Sequence, residues 1–199
     1  MAISSKALII FIKNPEKGKV KTRLAKTVGD DKALQIYLAL MEHTRAIALS
    51  VEAQRYLFYS QSIGEQDDWS DQQFIKKIQA SGDLGQRMEQ AFSKALAENE
   101  KVLIIGSDCA SLNATIVEQA FVALDDHDYV LGPAMDGGYY LLGMKKPSAF
   151  LFDQMPWSTE EVAQITRSRI KNKGAKLLEL ETLSDIDYEE DWKKYGWEI

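Results

Sequence analysis

Cysteine, histidine, proline and long apolar runs are all scarce in this chain: one Cys, two His and four Pro occur among 199 residues. A lone cysteine, Cys109, rules out an internal disulfide framework and a zinc site built from several thiolates. His43 and His127 have no partner at ligand spacing, and no elbow motif accompanies them, which argues against zinc and against a Ser/His/Asp triad. A thiol nucleophile at Cys109 lacks a histidine near it in sequence. The apolar run Ala7 to Ile12 is too short for a signal-peptide core or a bilayer crossing, so a cytoplasmic protein with no membrane span is expected. A net charge of −6 argues against a role in coating nucleic acid, although a local basic loop can still bind phosphate.

What is present is an alternation of strand-like and helix-like segments from one end to the other, the pattern of one α/β domain on a mostly parallel sheet. Lys6 to Ile12 reads as the first strand. A lysine-rich loop follows, and a helix begins near Asp30 or Asp31 with the stripe Ala33, Ile36, Tyr37, Leu40, Thr44, Ile47, Ala48 and Val51. Arg55 to Ser60 and Phe74 to Gln79 read as strands. Asp83 and Gln86 have capping-box spacing, before a stripe of Leu84, Met88, Ala91, Phe92 and Ala95. Val102 to Ile105 is an unbroken apolar run, expected to be buried on both faces of the sheet. A helix carrying Ile116, Val117, Ala120, Phe121 and Leu124 follows. Strands are then expected at Tyr129 to Leu131 and Tyr139 to Gly143, with a glycine-rich turn between them. Ser158 to Glu161 has capping-box spacing for a helix to about Asn172. Ala175 to Leu180 reads as the last strand, ahead of a short helix with Trp192, Tyr195 and Trp197.

Two kinds of charge cluster sit at strand ends. Lys13, Lys17, Lys19, Lys21 and Arg23, with Lys26 close behind, crowd the loop after the first strand, and Gly18 lets its backbone approach a phosphate. A solvated lysine run accounts for the charges equally well. The loop matches neither the Walker spacing nor the G-x-G-x-x-G fingerprint, so ATPase and Rossmann readings lose support. Asp108 follows the central strand, Asp136 lies in the Gly137-Gly138 turn, and Asp185 and Asp187 follow the last strand. Taken singly, each could be a cap or a turn residue. If the strands run parallel, all of them converge with the basic loop on one sheet edge, where carboxylate oxygens suit Mg²⁺ or Mn²⁺ together with substrate phosphates.

Lys13-x-Pro15-x-x-Gly18-x-Val20-Lys21-Thr22-Arg23-Leu24, Gly82-Asp-Leu-Gly-x-Arg-Met88, Ser107-Asp108, Gly132-Pro-Ala-x-Asp-Gly-Gly-Tyr-Tyr140, Pro156-Trp-Ser158 and Asp185-x-Asp187 form a combination that spans almost the whole chain. Together they resemble the small bacterial glycosyltransferase-like proteins of GT-A fold, the nucleotide-diphospho-sugar transferase superfamily, also labelled radical-SAM/selenodomain-associated transferases. The loop motif is also similar to that of phospholactate guanylyltransferases and, more distantly, molybdenum cofactor guanylyltransferases. The resemblance implies a three-layer α/β/α sandwich, a nucleotide over the first βα loop and a metal-binding aspartate at Asp108. It places Lys21 and Arg23 at phosphate-binding positions. Ala110 and Tyr188 depart from the usual proline and threonine.

The expected activity is metal-dependent transfer of a sugar from a nucleotide diphosphate to a small-molecule acceptor. The alternative is nucleotidyl transfer from an NTP with release of pyrophosphate. Lys13, Gly18, Lys21, Thr22, Arg23, Lys26 and Arg87 are the candidate nucleotide and phosphate contacts, Asp108, Asp185 and Asp187 the candidate Mg²⁺ or Mn²⁺ ligands, and Asp136 the candidate catalytic group. The C-terminal Trp and Tyr residues are open to two readings, a homodimer contact or closure of the core.

Overall fold

The structure is a computed structural model that describes residues 6–64 and 67–199. Seven strands form one sheet in the order β3-β2-β1-β4-β6-β5-β7, comprising β1 (Lys6–Ile12), β2 (Gln54–Tyr59), β3 (Ile75–Ile78), β4 (Lys101–Ile105), β5 (Tyr129–Pro133), β6 (Tyr139–Met144) and β7 (Leu177–Glu179). β6 runs antiparallel to both its neighbours, and every other pairing is parallel. Its direction follows from chain length. Only five residues separate β5 from β6, too few for the crossover that a parallel neighbour needs.

Side chains alternate across this sheet into two cores. Leu8, Ile10, Ile12, Leu57, Leu103, Ile105 and Leu141 meet α2 (Asp30–Ser50) and α4 (Ala114–Asp126) on one face. Ile9, Phe58, Val102, Ile104, Leu131 and Leu142 meet α3 (Leu84–Leu96) and α5 (Val162–Asn172) on the other. The three-layer α/β/α sandwich is therefore present. β4 explains itself: its four apolar residues are fully buried because helices cover both faces.

The α2 stripe is buried throughout, and the Asp83/Gln86 capping box closes with bonds of 2.9 and 3.0 Å. Three local expectations are corrected. Leu84 is 43% exposed, because it lies at the cavity mouth and not under the helix. The Ser158 cap does not form: Ser158 is left-handed (φ 65°), Thr159 turns its hydroxyl to the Pro156 carbonyl (2.8 Å), and α5 starts at Val162. A helix absent from the sequence reading, α1 (Thr22–Val28), grows out of the basic loop after a left-handed Lys21 (φ 47°). Its single buried side chain, Leu24, joins Ala33, Ile36, Leu40 and Ile186 in a satellite core. The final helix, α6 (Glu189–Tyr195), lays the partly buried Trp192 and Tyr195 on that cluster. Trp197 packs at a tilt against His43 and Trp192.

Gly143 in β6 pairs with Leu103 in β4, and a methyl group added there would come within 2.4 Å of the Leu103 side chain. Gly143→Ala should therefore cost about 1–3 kcal/mol in denaturant unfolding. The same change in a Leu103→Ala background should cost much less, because the two sites share one space.

Candidate functional site

β1, β2, β3, β4, β5 and β7 all end at one edge of the sheet, and β6 begins there. The basic loop, Asp108, Asp136, Asp185 and Asp187 accordingly open onto a common region. Backbone bonds tie these segments together. The amide of Ile186 donates to the Asp108 carbonyl (2.9 Å), and that of Met135 donates to the Leu183 carbonyl (2.9 Å).

Two neighbouring cavities occupy the edge. One of about 510 Å³ is bordered by Lys13, Lys21, Thr22 and Arg23 together with Asp108, Asp136, Asp185 and Asp187. The second, about 340 Å³ and largely apolar, lies above the ends of β1 to β4 and includes Phe11, Gln79, Leu84, Arg87 and Met88. Of the residues expected in the site, Gly18 and Lys26 border neither cavity. Gly18 is left-handed (φ 76°) and shapes the loop. Lys17 pairs with Asp31 and Lys19 with Glu16, away from the cavities.

The cations and carboxylates are already engaged with one another. The Lys21 ammonium, on a side chain only 5% exposed, pairs with Asp108 and donates to the Ile186 carbonyl (2.8 Å). Arg23 donates to Asp187 (2.9 Å). Lys13 and Arg87 have no ion pair among the described residues. Asp185 is pushed up to about 7, first by burial and then by the negative charges of Asp108, Asp136 and Asp187, which Lys21 only partly offsets. Carboxylates crowded in this way are suited to a hard divalent cation. In the present arrangement no group of three or more acidic, His or Cys side chains among the described residues is set to hold one. Asp108 and Asp187 point to Lys21 and Arg23 instead. Cys109 is buried and its thiol is pushed up to about 12, chiefly by that burial, so it is no nucleophile.

The sequence reading missed a second wall. Trp157, Ser158, Thr159 and Glu160 also border the larger cavity. Trp157 lies against Gly85, where a methyl group would come within 2.8 Å of the indole. The Glu160 backbone presses on Gly137, which is left-handed (φ 87°) and would place a methyl group 2.1 Å from the Glu160 carbonyl. These contacts give a physical reason for two glycines that spacing alone marks only as turn or cap positions. Asp136 is exposed and accepts from the Gly138 amide (2.9 Å) through one oxygen.

Comparison with known proteins agrees with this architecture. The family model described as "Uncharacterized protein conserved in bacteria (DUF2064)" matches residues 43–159, more than half of the chain. A crystal structure from Desulfovibrio desulfuricans G20, provisionally named a nucleotide-diphospho-sugar transferase, superposes with a TM-score of 0.87 at 31% identity, covering 93% of this chain and 83% of that one. CMP:2-keto-3-deoxy-manno-octonic acid synthetase complexed with CTP superposes at 0.57 and 13% identity, with 96% of each chain covered. Rv0371c of Mycobacterium tuberculosis in complex with manganese does so at 0.55 and 10% identity, with 98% of each covered. The last two likenesses are of fold. No curated protein sequence matches the chain. No helix among the described residues is long and apolar enough to cross a membrane.

A folded-state carboxyl near 7 against an ordinary 3.8 means that the native protein disfavours the charged form of Asp185. Stability falls as pH rises between those values, and the full penalty is present above about 7. In metal-free buffer, Asp185→Asn should stabilise the protein at pH 8, by up to roughly 4 kcal/mol. The gain should vanish towards pH 4 in urea unfolding.

Proposed function

The chain belongs to the DUF2064 family and has the nucleotide-diphospho-sugar transferase fold, and from that premise we propose that it transfers a sugar from a nucleotide diphosphate to a small-molecule acceptor. The observation that carries this reading is the gathering of Lys21, Thr22 and Arg23 with Asp108, Asp185 and Asp187 in the lining of one cavity, with Lys21 and Arg23 paired to Asp108 and Asp187. The cations suit the diphosphate, and the carboxylates beside them suit the divalent ion that accompanies it. The diphosphate draws the Lys21 and Arg23 side chains from their carboxylate partners to its own oxygens. Asp108 and Asp187, so freed, would hold Mg²⁺ or Mn²⁺, with Asp185 beside them. Such an ion supplies charge neutralisation to the departing diphosphate. Lys21 and Arg23 stabilise the same developing charge from the opposite side.

Asp136 lines the cavity together with the Trp157–Glu160 segment and either contacts the donor sugar or takes the acceptor proton. The apolar cavity beside Arg87 is the candidate seat of the nucleoside. One feature favours a second reading, nucleotidyl transfer. Lys13 and Arg87 line the cavities without an ion pair among the described residues, as extra charge for a triphosphate requires. The lone, buried Cys109 fits a cytoplasmic setting.

A thermal-shift panel of nucleotides and nucleotide sugars, with and without Mn²⁺, should show its largest shifts with diphosphates and metal together. Pyrophosphate release from GTP or CTP with phosphorylated acceptors would instead establish the second reading. Calorimetry of UDP or GDP with Mn²⁺ should show Asp108→Ala losing the metal-dependent gain, and equal affinities would sink the metal assignment. Lys21→Met should bind Mn²⁺ alone more tightly than wild type, because Asp108 loses its internal partner. It should bind the diphosphate roughly tenfold more weakly, since the substitution removes one charge-assisted hydrogen bond to the phosphate oxygens.

A further inference from the structure

We infer that Tyr37 is a positioning residue for this site, whose hydroxyl holds the basic loop in register with the Asp108 segment while nucleotide and metal bind. The inference rests on the reading of the edge as a nucleotide–metal site. Lys13 is the first residue past β1, and the strand's pairings with β2 and β4 end at Ile12–Tyr59 and Ile10–Ile105. Its amide and carbonyl therefore have no ladder partner. Tyr37, in α2, supplies both: the Lys13 amide donates to its phenolic oxygen (2.8 Å), and the phenol donates to the Lys13 carbonyl (2.9 Å). Ser107 donates to the same oxygen at 3.4 Å. One donor and two lone pairs are the whole capacity of a phenol, so this hydroxyl is fully engaged and has no proton to offer a substrate. The ring is 2% exposed, and burial raises the phenol's pKa further above its usual range.

The arrangement has a mechanical consequence. The basic loop is anchored to the end of β4 at two consecutive residues. Its near end reaches Ser107 through Tyr37, and its far end reaches Asp108 through Lys21. When the diphosphate draws Lys21 away from Asp108, the Tyr37 link to the end of β4 persists. Asn14, next along the loop, is tied to the opposite side, donating from its amide to Ser60 (3.1 Å) and accepting from the Gln61 amide (3.0 Å). Tyr37 thus sets the distance between the phosphate-binding cations and the carboxylates after β4.

Tyr37→Phe keeps the ring and removes the oxygen, leaving the amide and carbonyl of Lys13 without their partner. Tyr59→Phe is the matched control, since Tyr59 is also 2% exposed and its hydroxyl bonds Asp67, away from both cavities. The readout is the factor by which MnCl₂ tightens binding of GDP or UDP, whichever shifts the wild type more, together with amide hydrogen exchange at residues 12–24. In Tyr37→Phe the Mn²⁺-linked factor should fall about tenfold, with faster exchange confined to that segment. Tyr59→Phe should lose comparable stability and keep the factor. A Tyr37→Phe protein with the wild-type factor, or a Tyr59→Phe protein that loses it equally, overturns the inference. A wild type with no Mn²⁺-linked factor refutes the nucleotide–metal reading itself, and the exchange data then decide whether Tyr37 holds the loop.

Discussion

A charge removed from water must find a counter-charge, and among the ion-paired cations of the described residues the Lys21 ammonium is the most enclosed. Its side chain is almost fully enclosed, and it meets Asp108 and the Ile186 carbonyl together. That contact joins the loop after β1, the loop after β4 and the segment after β7, three pieces of chain far apart in sequence. The left-handed backbone at Lys21, the start of α1 and the satellite core under α6 all lie around it. The ion pair is thus both a fastening and a reserve of binding groups, since the atoms that hold the free protein closed are the ones a charged ligand would need.

The sheet supplies the geometry that makes such a contact possible. Parallel strands place successive loops at one edge, and β6 reverses there, so the Asp136 turn joins the loops without leaving it. Four aspartates on that edge repel one another, and the cost is visible at Asp185. Native proteins tolerate such crowding at functional positions, where a bound cation relieves it.

Much of this is readable from residues alone, because it depends on pattern. β1 and the buried face of α2 follow from periodicity, and β4 from an unbroken apolar run between helices. The convergence of the basic loop with Asp108, Asp136, Asp185 and Asp187 follows from strand direction. What escapes a reading of the sequence depends on atoms that pattern does not record. α1 has one buried residue in seven, too few to register as a stripe. Tyr37 is visible as a core ring, but its oxygen, which replaces a missing strand partner, leaves no trace in the spacing. The Trp157–Glu160 wall hides behind a false capping signal, because Ser158 and Glu161 stand at the right interval, whereas a left-handed Ser158 sends the chain elsewhere.

Gly85 and Gly137 have a further consequence for how this protein can vary. Each lacks a side chain because a particular part of the 157–160 segment fills the space, the Trp157 indole at one and the Glu160 backbone at the other. The segment is therefore keyed to the scaffold at two teeth, while Ser158 and Thr159 between them stay exposed. A library at those two positions re-tailors the cavity wall within the limits set by the left-handed backbone at Ser158 and the Thr159–Pro156 bond, and a loop graft succeeds when it carries both teeth along with it.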